Sequence, residues 1–441
     1  MTAISIGYFC ELQAESPMPP DAHRMFLLRV LSAGWCIPLI LLTLPVVTFN
    51  YADPFWMTVA LATVGAVFAA CWMAEGSPSE AFNQPWMREL PPVGQCRRAA
   101  LVFSVLTCIG SMLILFDQRE SLGTFENLQE KYLALVEIRN SGDRPGTVLS
   151  TIGTALRSFV YVAIVGFVAQ TAQTRNMRQA TLPLLLLLAA MALSAVATAS
   201  RTYLIFCVLV AVMSGLLLRH PLLKRPGILL GVAAACSYYL MLTTNQRIDA
   251  AFGDVSPVDV LTYFFDAELG SLGNFITNHT GAGGLAAVLY LSHPLPEFSR
   301  IVAEGSTQYA LGAHSLYLIY APALRLFGID IVPDVDLVQR PGMWWGTIGD
   351  LYMDFGPGFV VAYPLMIFLI VRVTKRIGRR TVYGLSLQCV TAAMLFASPF
   401  FGVMNTYSFS YFGLLALAWW QKGRIRRPVA QTPLRDIAAP R

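Results

Sequence analysis

Hydrophobic residues in this chain come in long blocks rather than in short alternation with polar ones. Ten runs are almost wholly apolar: 27–48, 54–74, 99–116, 151–171, 181–199, 202–218, 226–243, 357–371, 381–400 and 408–421. About 20 consecutive apolar residues cross the hydrocarbon core of a bilayer as a helix. The pattern therefore predicts an all-α polytopic membrane protein with about ten transmembrane helices, the eighth and tenth extending several residues outward. No internal repeat or low-complexity tract divides the sequence, so 1–441 is read as a single membrane domain.

Composition agrees. Of 441 residues, 56% are hydrophobic and 13% charged, with mean hydropathy +0.57. That is too little polar surface to coat a soluble domain. The first 25 residues lack the basic start and apolar core of a cleaved signal, so the first run is expected to stay in the mature protein.

Charge sets the orientation. With a cytoplasmic N-terminus, the inner segments are 1–29, 75–98, 172–180, 219–225, 372–380 and 422–441. They hold 21 of the 31 Lys and Arg but 7 of the 26 acidic residues. This bias marks cytoplasmic loops, and it predicts that both termini are cytoplasmic. Two large segments then face outward. In 117–150, Phe125, Leu128, Tyr132, Leu135 and Val136 recur at helical spacing and predict a short amphipathic helix. The other, 244–356, is too long for an idle connection and too apolar for disorder. Several short helices capping the bundle are expected there.

All eight cysteines fall in apolar runs or on the inner side, so no outer disulfide is expected. No CxxC, HExxH or clustered His/Cys spacing points to a metal.

Candidate chemistry gathers on the outer side. In "TASRTYLIF", Arg201 follows Ser200 at a tight turn, where a helix N-terminus and a full positive charge make an anion site. Arg157 lies inside the fourth run, where an arginine costs roughly 2.5–3.5 kcal/mol at the bilayer centre. Arg247 and Arg340 complete a set of four outer arginines with no run of acidic partners beside them. For each, the ordinary alternative is a solvated or snorkelling side chain. Among the outer histidines His314, in "GAHSLYLIY", is the candidate for chemistry. The stretch "GTIGDLYMDFGPG", 346–358, leads into the eighth run; Asp350 and Asp354 share a face if it is helical. The alternative is that one or both cap that helix or pair with an arginine.

Taken together, the "TASRTYLIF" turn, the Arg247 segment and the long outer loop closing on "GTIGDLYMDFGPG" resemble the Wzy-type oligosaccharide repeat-unit polymerases of O-antigen and exopolysaccharide synthesis. The resemblance covers about 150–375. It implies a GT-C-like fold and an inverting, metal-independent and cofactor-free glycosyl transfer at the periplasmic face of a bacterial inner membrane. Donor and acceptor would be glycans on a polyprenyl diphosphate, with membrane lipid, a chain-length regulator and a flippase as partners and no nucleic acid. Arg201, Arg157 and Arg340 would hold the diphosphate, because a guanidinium pairs with phosphate oxygens bidentately. Arg247, Asp350, Asp354 and His314 would serve the reacting centre. The runner-up is an O-antigen ligase, whose His-containing stretch "AHSLYL" resembles. A lipid-linked sugar flippase or other transporter is the third reading. It would place ionisable groups at midplane and repeat its halves, neither of which occurs.

Overall fold

The computed structural model describes residues 25–50, 52–76, 90–122, 148–174, 177–198, 201–225, 256–305, 346–400 and 402–426, with parts of 227–242 and 309–316. The chain is mostly helical. Among these residues six helical stretches are long and apolar enough to cross a bilayer: Phe26–Thr43, Pro54–Gly76, Val93–Gln118, Val148–Thr174, Gln179–Thr198 and Gly346–Ile377. Shorter apolar helices occupy Thr202–Leu217, Leu230–Tyr239 and Val382–Ala397. This is a multi-pass membrane protein.

The helices are α1 (Phe26–Thr43), α2 (Pro54–Gly76), α3 (Val93–Leu122), α4 (Val148–Arg157), α5 (Val160–Thr174), α6 (Met177–Thr198) and α7 (Arg201–Leu217). After the partly described stretch come α8 (Pro257–Phe265), α9 (Ser271–Ser292), α10 (Pro294–Glu304), α11 (Gly346–Phe355), α12 (Phe359–Ile377), α13 (Val382–Ala397) and α14 (Val403–Arg426). Two short strands, β1 (Val47–Phe49) and β2 (Ala267–Leu269), are the only ones among the described residues.

Helix α3 shows why these sequences fold in lipid. Val102, Val105, Ile109, Met112 and Phe116 form one exposed stripe at three- and four-residue spacing. The opposite face buries Ala100, Ser104, Thr107, Ser111 and Ile114. Apolar side chains point out and small polar ones point in, the reverse of a soluble helix. The Ser111 and Ser194 hydroxyls meet at 2.7 Å across α3 and α6. Thr107 Oγ1 donates to the Phe103 carbonyl, which keeps it satisfied away from water. Gly110 and Gly153 let α3 and α4 touch backbone to backbone, because a Cβ on either would strike the other's carbonyl.

The helix ends sort into two layers. At the proximal end, where α1 begins, Glu75 near the end of α2 accepts from the Leu27 and Leu28 amides at 3.0 and 2.8 Å. Those are amides that a helix start leaves without partners. Lys375, near the end of α12, donates to the Glu75 carbonyl. Between α12 and α13, Arg379 Nε donates to Gln388 Oε1 at 2.6 Å, and burial draws the Arg379 guanidinium below its ordinary pKa.

At the distal end β1 pairs antiparallel with β2, Thr48 opposite Glu268. Gly270 and Gly273 allow the turn to close on the Pro45 and Val46 carbonyls. A second apolar cluster forms there from Val46, Phe49, Leu261, Phe265, Leu285 and Leu289, separate from the main core.

Three local features depart from the sequence pattern. The fourth run, 151–171, is interrupted at Ser158–Phe159, between α4 and α5. The approach to the eighth run is itself a buried helix, α11, joined to α12 through a 3₁₀ turn at Gly356–Gly358. The segment between α1 and α2 carries a strand, β1. The amphipathic helix expected around 125–136 lies outside the described residues.

Candidate functional site

The site is built on α11 at the distal end. Gly346 opens it at φ +64, and a Cβ there would strike the Pro399 carbonyl. That left-handed conformation and close approach suit glycine alone. The Thr347 amide then donates to the Ser398 carbonyl at 2.9 Å, fixing α11 to the turn after α13. On its other side α10 wedges in: the Phe298 ring lies 6.0 Å from Tyr352 and 5.1 Å from Phe359.

Every residue from Gly346 to Asp354 is buried. Asp350 is 4% exposed and Asp354 0%, one turn apart. The Asp350 carboxylate lies against Gly402, where any side chain would collide with it. Asp354 Oδ2 accepts from the Ser315 amide at 2.9 Å. More of the same loop is held at the end of α11. The Ala310 amide donates to the Met353 carbonyl at 3.0 Å, and the Tyr309 ring covers Gly356, which sits at φ +56. The N-cap position of α12 is Gly358, four residues after Asp354. Taking a carboxylate out of water costs several kcal/mol unless partners replace the lost hydration. Two such groups in one turn therefore need donors around them.

A cation stands on the α4–α5 break. Arg157 ends α4, where the helix dipole favours a cation. Its guanidinium lies 4.7 Å over the Tyr203 ring, a cation–π contact. Tyr203 is in the first turn of α7, the helix that Arg201 opens. The fold thus sets Arg157 beside the start of the Arg201 helix; the Arg201 side chain lies outside the described residues.

Helix α14 joins the two halves. Its approach, at Gly402, meets Asp350. At Tyr407, five residues on, it stacks on Phe206 with centroids 3.6 Å apart. The Tyr407 hydroxyl reaches the Thr202 carbonyl at 3.5 Å, in the first turn of α7.

His314, Arg247, Arg340 and Ser200 lie outside the described residues. His279 and His293 are described. His279 is exposed, with Nδ1 2.8 Å from the Phe275 carbonyl, and His293 is buried, 3.0 Å from the Leu289 carbonyl.

One partly buried cluster escaped the sequence reading. On α10, Arg300 bridges Glu297 at 2.6 Å and Glu304 at 2.5 Å. Burial lowers the Arg300 pKa, but the bonds to Glu297 and Glu304 outweigh it and hold the group above its ordinary value. The signal was present as E-x-x-R-x-x-x-E, the i,i+3 and i,i+4 spacing of helical ion pairs. This arginine is held by carboxylates, whereas Arg157 lies over an aromatic ring. No protein-family model, curated protein or solved structure matches the chain.

Proposed function

We propose that this protein is an inverting glycosyltransferase that polymerises polyprenyl-diphosphate-linked oligosaccharide repeat units. It would work on the periplasmic face of a bacterial inner membrane, with about ten spans, a GT-C-like architecture and both termini cytoplasmic. The observation that carries the reading is the buried Asp350–Asp354 pair on α11, with the 309–316 loop bonded to it and α14 linking it to the arginine-bearing start of α7.

In this reaction an acceptor hydroxyl attacks the anomeric carbon of the donor glycan. The C–O bond to the lipid diphosphate breaks with inversion, and the hydroxyl proton passes to a carboxylate or an imidazole. Charge accumulates on the departing diphosphate. Guanidinium groups stabilise it without reorganising, which gives Arg157 and Arg201, with Arg247 and Arg340 on the loops, their role. Asp354 is the favoured proton acceptor and Asp350 its neighbour on the helix.

The ligase reading draws on one contact. Ser315, whose amide binds Asp354, directly follows His314. An imidazole acting near Asp354 would suit a single transfer of finished glycan to a different acceptor.

The test is reconstitution of the purified chain in liposomes with a lipid-linked repeat unit. A ladder of lengthening products is expected. A single transfer product requiring a second acceptor would favour the ligase. Translocation without new glycosidic bonds would favour the flippase and overturn the proposal.

A further inference from the structure

The flank formed by α5, α6 and α7 holds a cavity of about 320 Å³. Its wall is largely apolar, with Phe167, Leu187, Met191, Val208, Ala211 and Val232 among the residues that line it. The Thr171 hydroxyl, one of its few polar groups, is bonded to the carbonyls of Phe167 and Val168 in its own helix. Water in a cavity needs two to four polar partners. Space for roughly ten waters, at about 30 Å³ each, is offered here with almost none. Hydrocarbon is the filling chemistry that such a wall accepts.

The proximal mouth has the opposite character. The turn after α7 runs Arg219, His220, the 3₁₀ helix Pro221–Lys224 and Arg225. His220 Nδ1 accepts from the Leu222 amide at 3.3 Å, and the turn sends Leu222 and Leu223 to the cavity wall. Arg219 and Arg225 remain exposed beside it. Burial holds the His220 pKa below its ordinary value, which disfavours a charge on the ring.

No Asp or Glu occurs anywhere between Asp143 and Asp249. Among the described residues, neither Arg219 nor Arg225 has an ion-pair partner. Clusters of Lys and Arg at the inner surface attract anionic lipid headgroups, and basic pockets between spans bind them.

We propose that this cavity is a binding site for one anionic glycerophospholipid of the bilayer. One acyl chain would lie between α5, α6 and α7, and the headgroup phosphate would rest on Arg219 and Arg225. Charge complementarity at the mouth selects this occupant over a zwitterionic lipid. The site lies at the opposite end of α7 from Arg201 and does not depend on the glycosyltransferase reading.

The full chain, purified in mild detergent, would be titrated with phosphatidylglycerol and with phosphatidylcholine of the same acyl chains, and bound lipid read by native mass spectrometry. Phosphatidylglycerol is expected to bind at least tenfold tighter. Arg219→Gln with Arg225→Gln should erase that preference, and Val208→Phe, which fills the cavity, should weaken both lipids. The glutamines replace exposed side chains, so a failure of Val208→Phe to fold leaves the test intact. Equal binding of the two lipids, or a preference that survives both glutamines, would overturn the proposal. So would displacement of phosphatidylglycerol by a polyisoprenyl phosphate whose binding needs Arg157 and neither Arg219 nor Arg225, which would assign the cavity to a substrate tail.

Discussion

Glu75 at the proximal end and Asp354 at the distal end are both buried carboxylates that accept backbone amides. Their partners differ. Both oxygens of Glu75 cap the first turn of α1, and its own carbonyl receives Lys375, so the group closes a seam between three helices. Asp354 instead accepts from the Ser315 amide, on the loop whose Ala310 amide also donates to the Met353 carbonyl, next to a second buried acid and just before the 3₁₀ turn that leads into α12. Burial alone therefore does not distinguish a closing carboxylate from a working one. The two differ in what their oxygens hold, a helix start for Glu75 and a loop amide for Asp354.

The largest effect should come from charge removal at constant shape. Asp354→Asn keeps an oxygen for the Ser315 amide but loses basicity. Polymer formation should fall on the order of 10²–10⁴-fold, the range of general-base catalysis, with the protein still inserted. Glu75→Gln keeps one of the two caps, because its NH2 accepts from neither backbone amide, and it should leave polymer per inserted molecule near normal. Equal losses in one polymerisation assay would break the comparison.

Next in size is Arg157→Ala, expected to lower polymer yield roughly 10²–10³-fold, as loss of one donor to developing charge does. Lysine at this position can keep the contact with Tyr203 but not a bidentate phosphate grip, so Arg157→Lys should recover little. Full recovery would make Arg157 a packing residue.

Gly402→Ala sharpens the distal side further. A Cβ must displace the Asp350 carboxylate, so polymer should drop about tenfold or more while membrane abundance changes little, as read by immunoblot against product ladders.

Glu75→Ala orphans the Leu27 and Leu28 amides, at about 1–3 kcal/mol for a buried donor left unsatisfied. Reduced abundance or a lower unfolding temperature is expected, with activity per molecule retained. The smallest effect belongs to Val105→Ala on the exposed stripe of α3, which should shift neither measurement. A clear loss there would mean that this face meets protein rather than lipid.

Much of the transmembrane pattern was legible because each span declares itself within its own residues. The apolar run at 99–116 sits inside α3, and the run at 54–74 inside α2, with the helices longer by a few polar residues at their ends. Pairings between distant segments were not legible. Three residues at Val47–Phe49 are too few to show alternation, and they become a strand only because Ala267–Leu269 arrives beside them. The break after Arg157 has no proline or glycine to announce it; the nearby Gly153 serves close packing on α3 instead. At the site, the spacing of Asp350 and Asp354 could be read, and so could the glycines around them. Tyr309 over Gly356 and Ser315 on Asp354 could not, because those contacts link segments about 40 residues apart.

The β1–β2 pairing also has a consequence in time. Ribosomes add roughly 5–20 residues per second, and β2 lies some 220 residues downstream of β1. On the order of 10–45 s therefore pass before Val47–Phe49 can meet its partner. Throughout that interval the α1–α2 hairpin sits in the bilayer with an open strand edge beyond it. The distal lobe is consequently among the last parts of the nascent chain to close, and α1 and α2 must hold their places by helix packing until it does.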